Sequence, residues 1–61
     1  MEKKDLPILT KGQMYVLFWH DGNISKCNFV KEENGFFVFT KNNLTIPVRL
    51  SSLSKVAKAA R

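Results

Sequence analysis

From Met14 to Trp19 the chain reads MYVLFW, six apolar residues without a polar interruption. A strand with one wet face alternates, so this run predicts a strand covered on both sides. Three dipeptides then punctuate the middle of the chain: Asp21-Gly22, Asn34-Gly35 and Asn42-Asn43. Each supplies residues that tolerate positive φ at both central positions, as a two-residue type I′ hairpin turn demands. The expected elements are four strands at about 13–20, 23–33, 36–41 and 44–50, joined as an antiparallel meander.

Two-residue turns fix the registers, because residues equidistant from a turn lie opposite each other and share a face. Trp19 then meets Ile24, Leu17 meets Lys26 and Val16 meets Cys27. Across the second turn Val30 meets Phe39 and Lys31 meets Val38; across the third, Phe39 meets Ile46 and Phe37 meets Val48. One face carries Tyr15, Leu17, Trp19, Ile24, Val30, Phe37, Phe39, Leu44, Ile46, Val48 and Leu50, with Lys26, Asn28, Glu32 and Lys41 interrupting it. Running through all four strands, it is the expected core. The second face carries Met14, Val16, Phe18, Cys27, Phe29, Phe36 and Val38 among His20, Ser25, Lys31, Glu33, Thr40, Thr45, Pro47 and Arg49. That is more apolar surface than water tolerates. Three arrangements relieve it: a bulge in the long second strand near Asn28 that turns Cys27 and Phe29 into the core, a cover from the N-terminal arm (Leu6, Ile8, Leu9) or the C-terminal segment, or a partner.

Pro47 lacks the N–H that a central strand would use, which marks the fourth strand as an edge. Beyond it the period changes. Leu53, Val56, Ala57 and Ala60 fall at helical spacing after Ser51 or Ser52 as N-cap, with Lys55, Lys58 and Arg61 on another face. The expected organisation is an N-terminal arm over residues 1–12, a small β-domain over 13–50 and an amphipathic helix over 51–61. Four short strands with tight turns and a terminal helical turn resemble the SH3-like small barrels in architecture. The resemblance carries no family motif, neither the aromatic groove of peptide-binding SH3 domains nor a methyl-lysine cage. The OB and cold-shock type is a second architecture for a basic β-protein, but its aromatic nucleic-acid-binding pattern is not legible here.

At 61 residues the chain is one domain whose core supplies only about 3–5 kcal/mol, so oligomerisation is a natural source of support. Cys27 is the single cysteine and His20 the single histidine, which excludes an intrachain disulfide and any structural zinc set. The basic start lacks an apolar signal segment and no apolar run is long enough to span a bilayer, so a cytoplasmic protein without membrane contact is expected. Ten Lys and Arg against five Asp and Glu give a net charge of +5. Such a balance attracts acidic partners through a field that salt screens.

Candidate chemistry is sparse. His20 and Cys27 do not oppose each other, Glu32 and Glu33 are strand neighbours pointing to opposite faces, and no phosphate loop or dinucleotide fingerprint is present. Neither catalysis nor a cofactor or metal is expected. Binding remains, in two forms. In the first, Phe18, Phe29 and Phe36 stack the bases of DNA or RNA while Lys31 and Arg49 engage phosphates, with Lys11, Lys55, Lys58 and Arg61 extending the positive surface. In the second, Met14, Val16, Phe18, Phe29, Phe36 and Val38 form an apolar interface for a homodimer or a protein partner, as an interaction module or inhibitor. The leading expectation is a small regulatory or accessory factor of phage or prophage type that binds nucleic acid.

Overall fold

A computed structural model of the chain describes residues 1–59. Five strands form one antiparallel sheet: β1 (Met14–Trp19), β2 (Ile24–Glu33), β3 (Phe36–Lys41), β4 (Leu44–Val48) and β5 (Leu53–Lys58). Their order is β4-β3-β2-β1-β5. The mainly-β class and the meander of β1 to β4 match the sequence pattern. Two expectations change. A fifth strand joins the sheet, and with β4 and β5 at its edges the sheet is open, lacking the closing pairing that an SH3-like barrel requires.

The fifth strand replaces the predicted C-terminal helix. Leu53 pairs with Trp19 and Lys55 with Phe18, which leaves Ser54 as an extra, bulged residue. One bulge converts the period of two into a local spacing of three, so Leu53 and Val56 reach the same face as they would on a helix. The Ser54 hydroxyl donates to the Phe18 carbonyl at 3.2 Å, giving the kink a polar partner. Pairing also covers the open edge of the apolar β1, a gain that a short helix cannot match. Residues 51–59 are therefore part of the β-domain; Ala60 and Arg61, at the end of the predicted helix, lie outside the described residues.

The first hairpin departs from the two-residue turn. Trp19 N–H donates to the Asn23 carbonyl at 2.9 Å and Gly22 N–H to the Trp19 carbonyl at 3.0 Å, enclosing a three-residue loop, His20-Asp21-Gly22. Only Gly22 takes positive φ, at 93°. This is the type I turn followed by a left-handed residue that three-residue hairpins favour. Asp21 is held by its side chain instead, its carboxylate accepting from Asn23 N–H at 2.9 Å and from Asn23 Nδ2 at 3.0 Å. The extra loop residue slides β2 by one position: Tyr15 faces Cys27, Val16 faces Lys26 and Phe18 faces Ile24. The predicted pairs of Trp19 with Ile24, Leu17 with Lys26 and Val16 with Cys27 are corrected accordingly.

The other two turns follow the sequence. Asn34 and Gly35 (φ 51° and 81°), and Asn42 and Asn43 (φ 51° and 67°), all lie in the left-handed region. Lys31 meets Val38, Phe37 meets Val48 and Phe39 meets Ile46 as expected. Between these registers and the slid first hairpin, β2 must absorb one residue, and Val30 is that bulge: Phe29 faces Phe39 while Lys31 faces Val38. The bulge sits two positions beyond the expected Asn28. Together the loop and the bulge turn Cys27 and Phe29 inward.

The core is Tyr15, Leu17, Cys27, Phe29, Phe37, Phe39, Val48, Leu53 and Val56, with Trp19, Ile46 and Leu50 at its margin. Phe29 and Phe39 meet edge to face, their ring centroids 5.5 Å apart. Ile24 and Leu44, expected inside, are 60 % and 68 % exposed, and Val30 is only half-buried. The N-terminal arm covers the core face rather than the second one, packing Met1, Leu6 and Leu9 against it. Tyr15 ties the arm down: its hydroxyl accepts from Thr10 N–H at 2.8 Å and donates to the Ile8 carbonyl at 3.0 Å.

Candidate nucleic-acid interface

The slide of β2 decides what the outer face of the sheet presents. Inward turning of Cys27 and Phe29 sends Lys26 and Asn28 outward, because neighbours on a strand point to opposite sides. Across the strands the outer face then reads in rows. Lys55, Phe18 and Ile24 form one, and Ala57, Val16 and Lys26 the next. Met14, Asn28, Thr40 and Thr45 follow, then Lys31, Val38 and Pro47, and finally Glu33 and Phe36. Apolar and basic residues are interleaved from one edge to the other.

Two aromatic rings mark opposite ends of β2 on this face. The Lys55 ammonium lies 5.6 Å from the centroid of Phe18, and the Arg49 guanidinium 4.5 Å from that of Phe36. Both rings are partly exposed and both cations exposed. Such a contact is worth about 0.5–1 kcal/mol at the surface, whereas stacking a nucleobase on an aromatic ring is worth about 1–3 kcal/mol. Each ring is thus held to its cation by a contact weaker than a stacked aromatic partner would make.

Of the remaining residues singled out from the sequence, Met14, Val16 and Val38 share this face, although Val38 is already 9 % exposed between its neighbours. Lys31 is on it too, engaged with Glu33 at 3.4 Å. Glu33 is the sole carboxylate the described strands direct outward. Phe29 is the clear departure: it lies in the core, at 8 % exposure, and is part of neither expected interface. Lys11 stands in the turn before β1, and Lys58 ends β5 opposite Tyr15, on the inward side of the strand. Arg61 lies outside the described residues.

Sequence reasoning missed Lys26 and Asn28 on this face. The signal was present, since both interrupted an otherwise apolar predicted core at alternate positions, which is what a one-residue slip produces. His20 is exposed in the first hairpin loop, while Cys27 is buried against Tyr15, so the two do not form a reactive pair. Burial pushes the Cys27 thiol pKa up, with Lys41 pulling weakly the other way. Among the described residues no group of three or more His, Cys, Asp or Glu side chains could hold a metal ion, and no helix is long and apolar enough to cross a membrane. No family model matches the chain, and neither the curated proteins nor the solved structures contain a match to it.

Proposed function

We propose that the protein is a small nucleic-acid-binding factor that takes single strands on the outer face of its sheet, stacking bases on Phe18 and Phe36. The observation that carries this reading is the exchange along β2. With Cys27 and Phe29 turned inward and Lys26 and Asn28 turned outward, the face is a mixed aromatic and basic surface rather than an apolar one. Polar, cationic surfaces with separated rings suit single strands, which pair flexible bases with a regular run of charge. The same exchange weakens the homodimer alternative, whose interface needs a contiguous apolar centre.

Fluorescence anisotropy with labelled oligo-dT and oligo-rU at low salt tests the reading. Wild type is expected to bind, and Phe18→Ala and Phe36→Ala each to weaken binding by about 5- to 150-fold, from a stacking loss of about 1–3 kcal/mol. Circular dichroism of both variants should stay native, since neither ring is part of the core cluster. Wild type that binds neither oligonucleotide overturns the proposal, and a doubled mass by light scattering at high salt would favour the dimer.

A further inference from the structure

Carboxylates are unevenly placed in this molecule. Glu2 and Asp5 lie on the arm, Asp21 in the first hairpin loop, and Glu32 and Glu33 at the far end of β2 beside the Asn34-Gly35 turn. None lines the stretch around the midpoint of β2, where Met14 at the start of β1 and Thr40 near the end of β3 both pair with Asn28. There the chain gathers Lys11 before β1, Lys26 on β2, Lys41 at the end of β3 and Lys58 at the end of β5. The two ion pairs among the described residues engage Lys3 and Lys31, and no described carboxylate pairs with Lys11, Lys26, Lys41 or Lys58.

Two hollows open on the same rim. One, of about 400 Å³, runs from Thr10 and Lys11 to Met14 and Asn28. The other, of about 310 Å³, continues from Met14 and Asn28 past Lys26 to Lys41 and the Asn42-Asn43 turn. They share Met14 and Asn28, so they form a continuous path that crosses β2 at its midpoint, from the start of β1 to the end of β3. Lysine ammonium groups, carboxamides and threonine hydroxyls line it, and among the described residues no carboxylate does. Cations with nearby neutral donors are the equipment for holding phosphate oxygens.

We infer that this rim is a phosphate-binding site, with Lys26 and Lys41 as its principal cations and Lys11 at its mouth. It rests on the nucleic-acid reading of the outer face for its natural occupant, the phosphodiester backbone of a bound strand. A strand whose bases lie on the outer face passes its backbone over the rim, where Lys26 belongs to both surfaces. The side-chain amides of Asn28, Asn42 and Asn43 then donate to phosphate or sugar oxygens and fix the strand's position.

The test compares two double variants of equal charge. Lys26→Gln/Lys41→Gln removes the rim cations, and Lys3→Gln/Lys4→Gln removes two from the arm; all four lysines are exposed, and circular dichroism checks that both proteins fold. Oligo-dT affinity is measured across salt concentrations. The rim variant should lower the slope of log K against log salt by about 0.7 for each phosphate it no longer neutralises, while the arm variant leaves the slope unchanged. In parallel, titration of the ¹⁵N-labelled protein with tripolyphosphate should move the side-chain amide signals of Asn28, Asn42 and Asn43. Equal slopes in the two variants, with binding still sensitive to Phe18→Ala, overturn the rim site and leave the outer-face reading standing. Amide shifts with tripolyphosphate in a protein that binds no oligonucleotide support the rim site and overturn that reading. Failure of tripolyphosphate and oligonucleotide alike to bind overturns both.

Discussion

Phe29 shows how much one side chain's direction matters. On the outer face it would be a replaceable ring; in the core it touches Phe39 and its removal leaves a cavity. Phe29→Ala should cost about 3–5 kcal/mol, close to the whole stability expected of so small a domain, and Phe29→Asp should abolish the native circular dichroism outright by burying a charge. Its neighbour on the same face, Cys27, makes a prediction about pH. Burial raises the thiol pKa in the folded state, so the unfolded chain gives up that proton first as pH rises. The contribution is intact below about pH 8.5, the unperturbed thiol value, and is lost as pH climbs through the raised one. Urea titrations of Cys27→Ala against wild type between neutral and alkaline pH should show the variant losing less stability over that window. A thiol reagent should react slowly with the native protein and promptly once it is unfolded.

Turns set the elements here, and two of the three could be read from their residues. Asn34-Gly35 and Asn42-Asn43 offer positive φ at both positions, and the registers they fix hold through β3 and β4. Beyond its two chain neighbours no atom lies within 4 Å of where a Cβ on Gly35 would stand, so Gly35→Ala should cost only the left-handed backbone penalty, about 1–2 kcal/mol, seen as a lower urea midpoint. Asp21-Gly22 was ambiguous, because Asp can either take positive φ or hold the turn through its carboxylate, and it does the second. From that one residue follow the inward Cys27 and Phe29, the outward Lys26 and Asn28, and the need for the Val30 bulge. The C-terminal segment was illegible for a different reason. A spacing of three between Leu53 and Val56 is shared by a helical turn and a bulged strand, and what separates them is the long-range pairing with β1. Far-UV circular dichroism should accordingly lack a helical component, and truncation after Ser52 should unfold the protein by baring the Leu17 side of β1.

The whole molecule has nearly equal extents, 25 × 24 × 20 Å, but is asymmetric in charge. Lys11, Lys26, Lys41 and Lys58 gather about the midpoint of β2, while the described carboxylates sit on the arm, in the first hairpin loop and at the end of β2. Under the proposed function a single strand meets that field first, so association with oligo-dT should slow as salt rises, measurable by stopped-flow fluorescence of Trp19. The open sheet carries another consequence, since each of its edges invites another copy to add a strand and continue the ladder into a fibril. On β4 the invitation is blunted by Pro47, which has no N–H to give. On β5 the Ser54 kink breaks the straight edge that a stacking copy would need, and Lys55 and Lys58 set like charges against an identical neighbour. The residue that let a short segment pass for a helix thus also serves as a guard against self-templating. Replacing Lys55 and Lys58 with threonine while keeping Ser54 should leave the protein clear on storage for longer than deleting Ser54 as well, with thioflavin fluorescence reporting the difference.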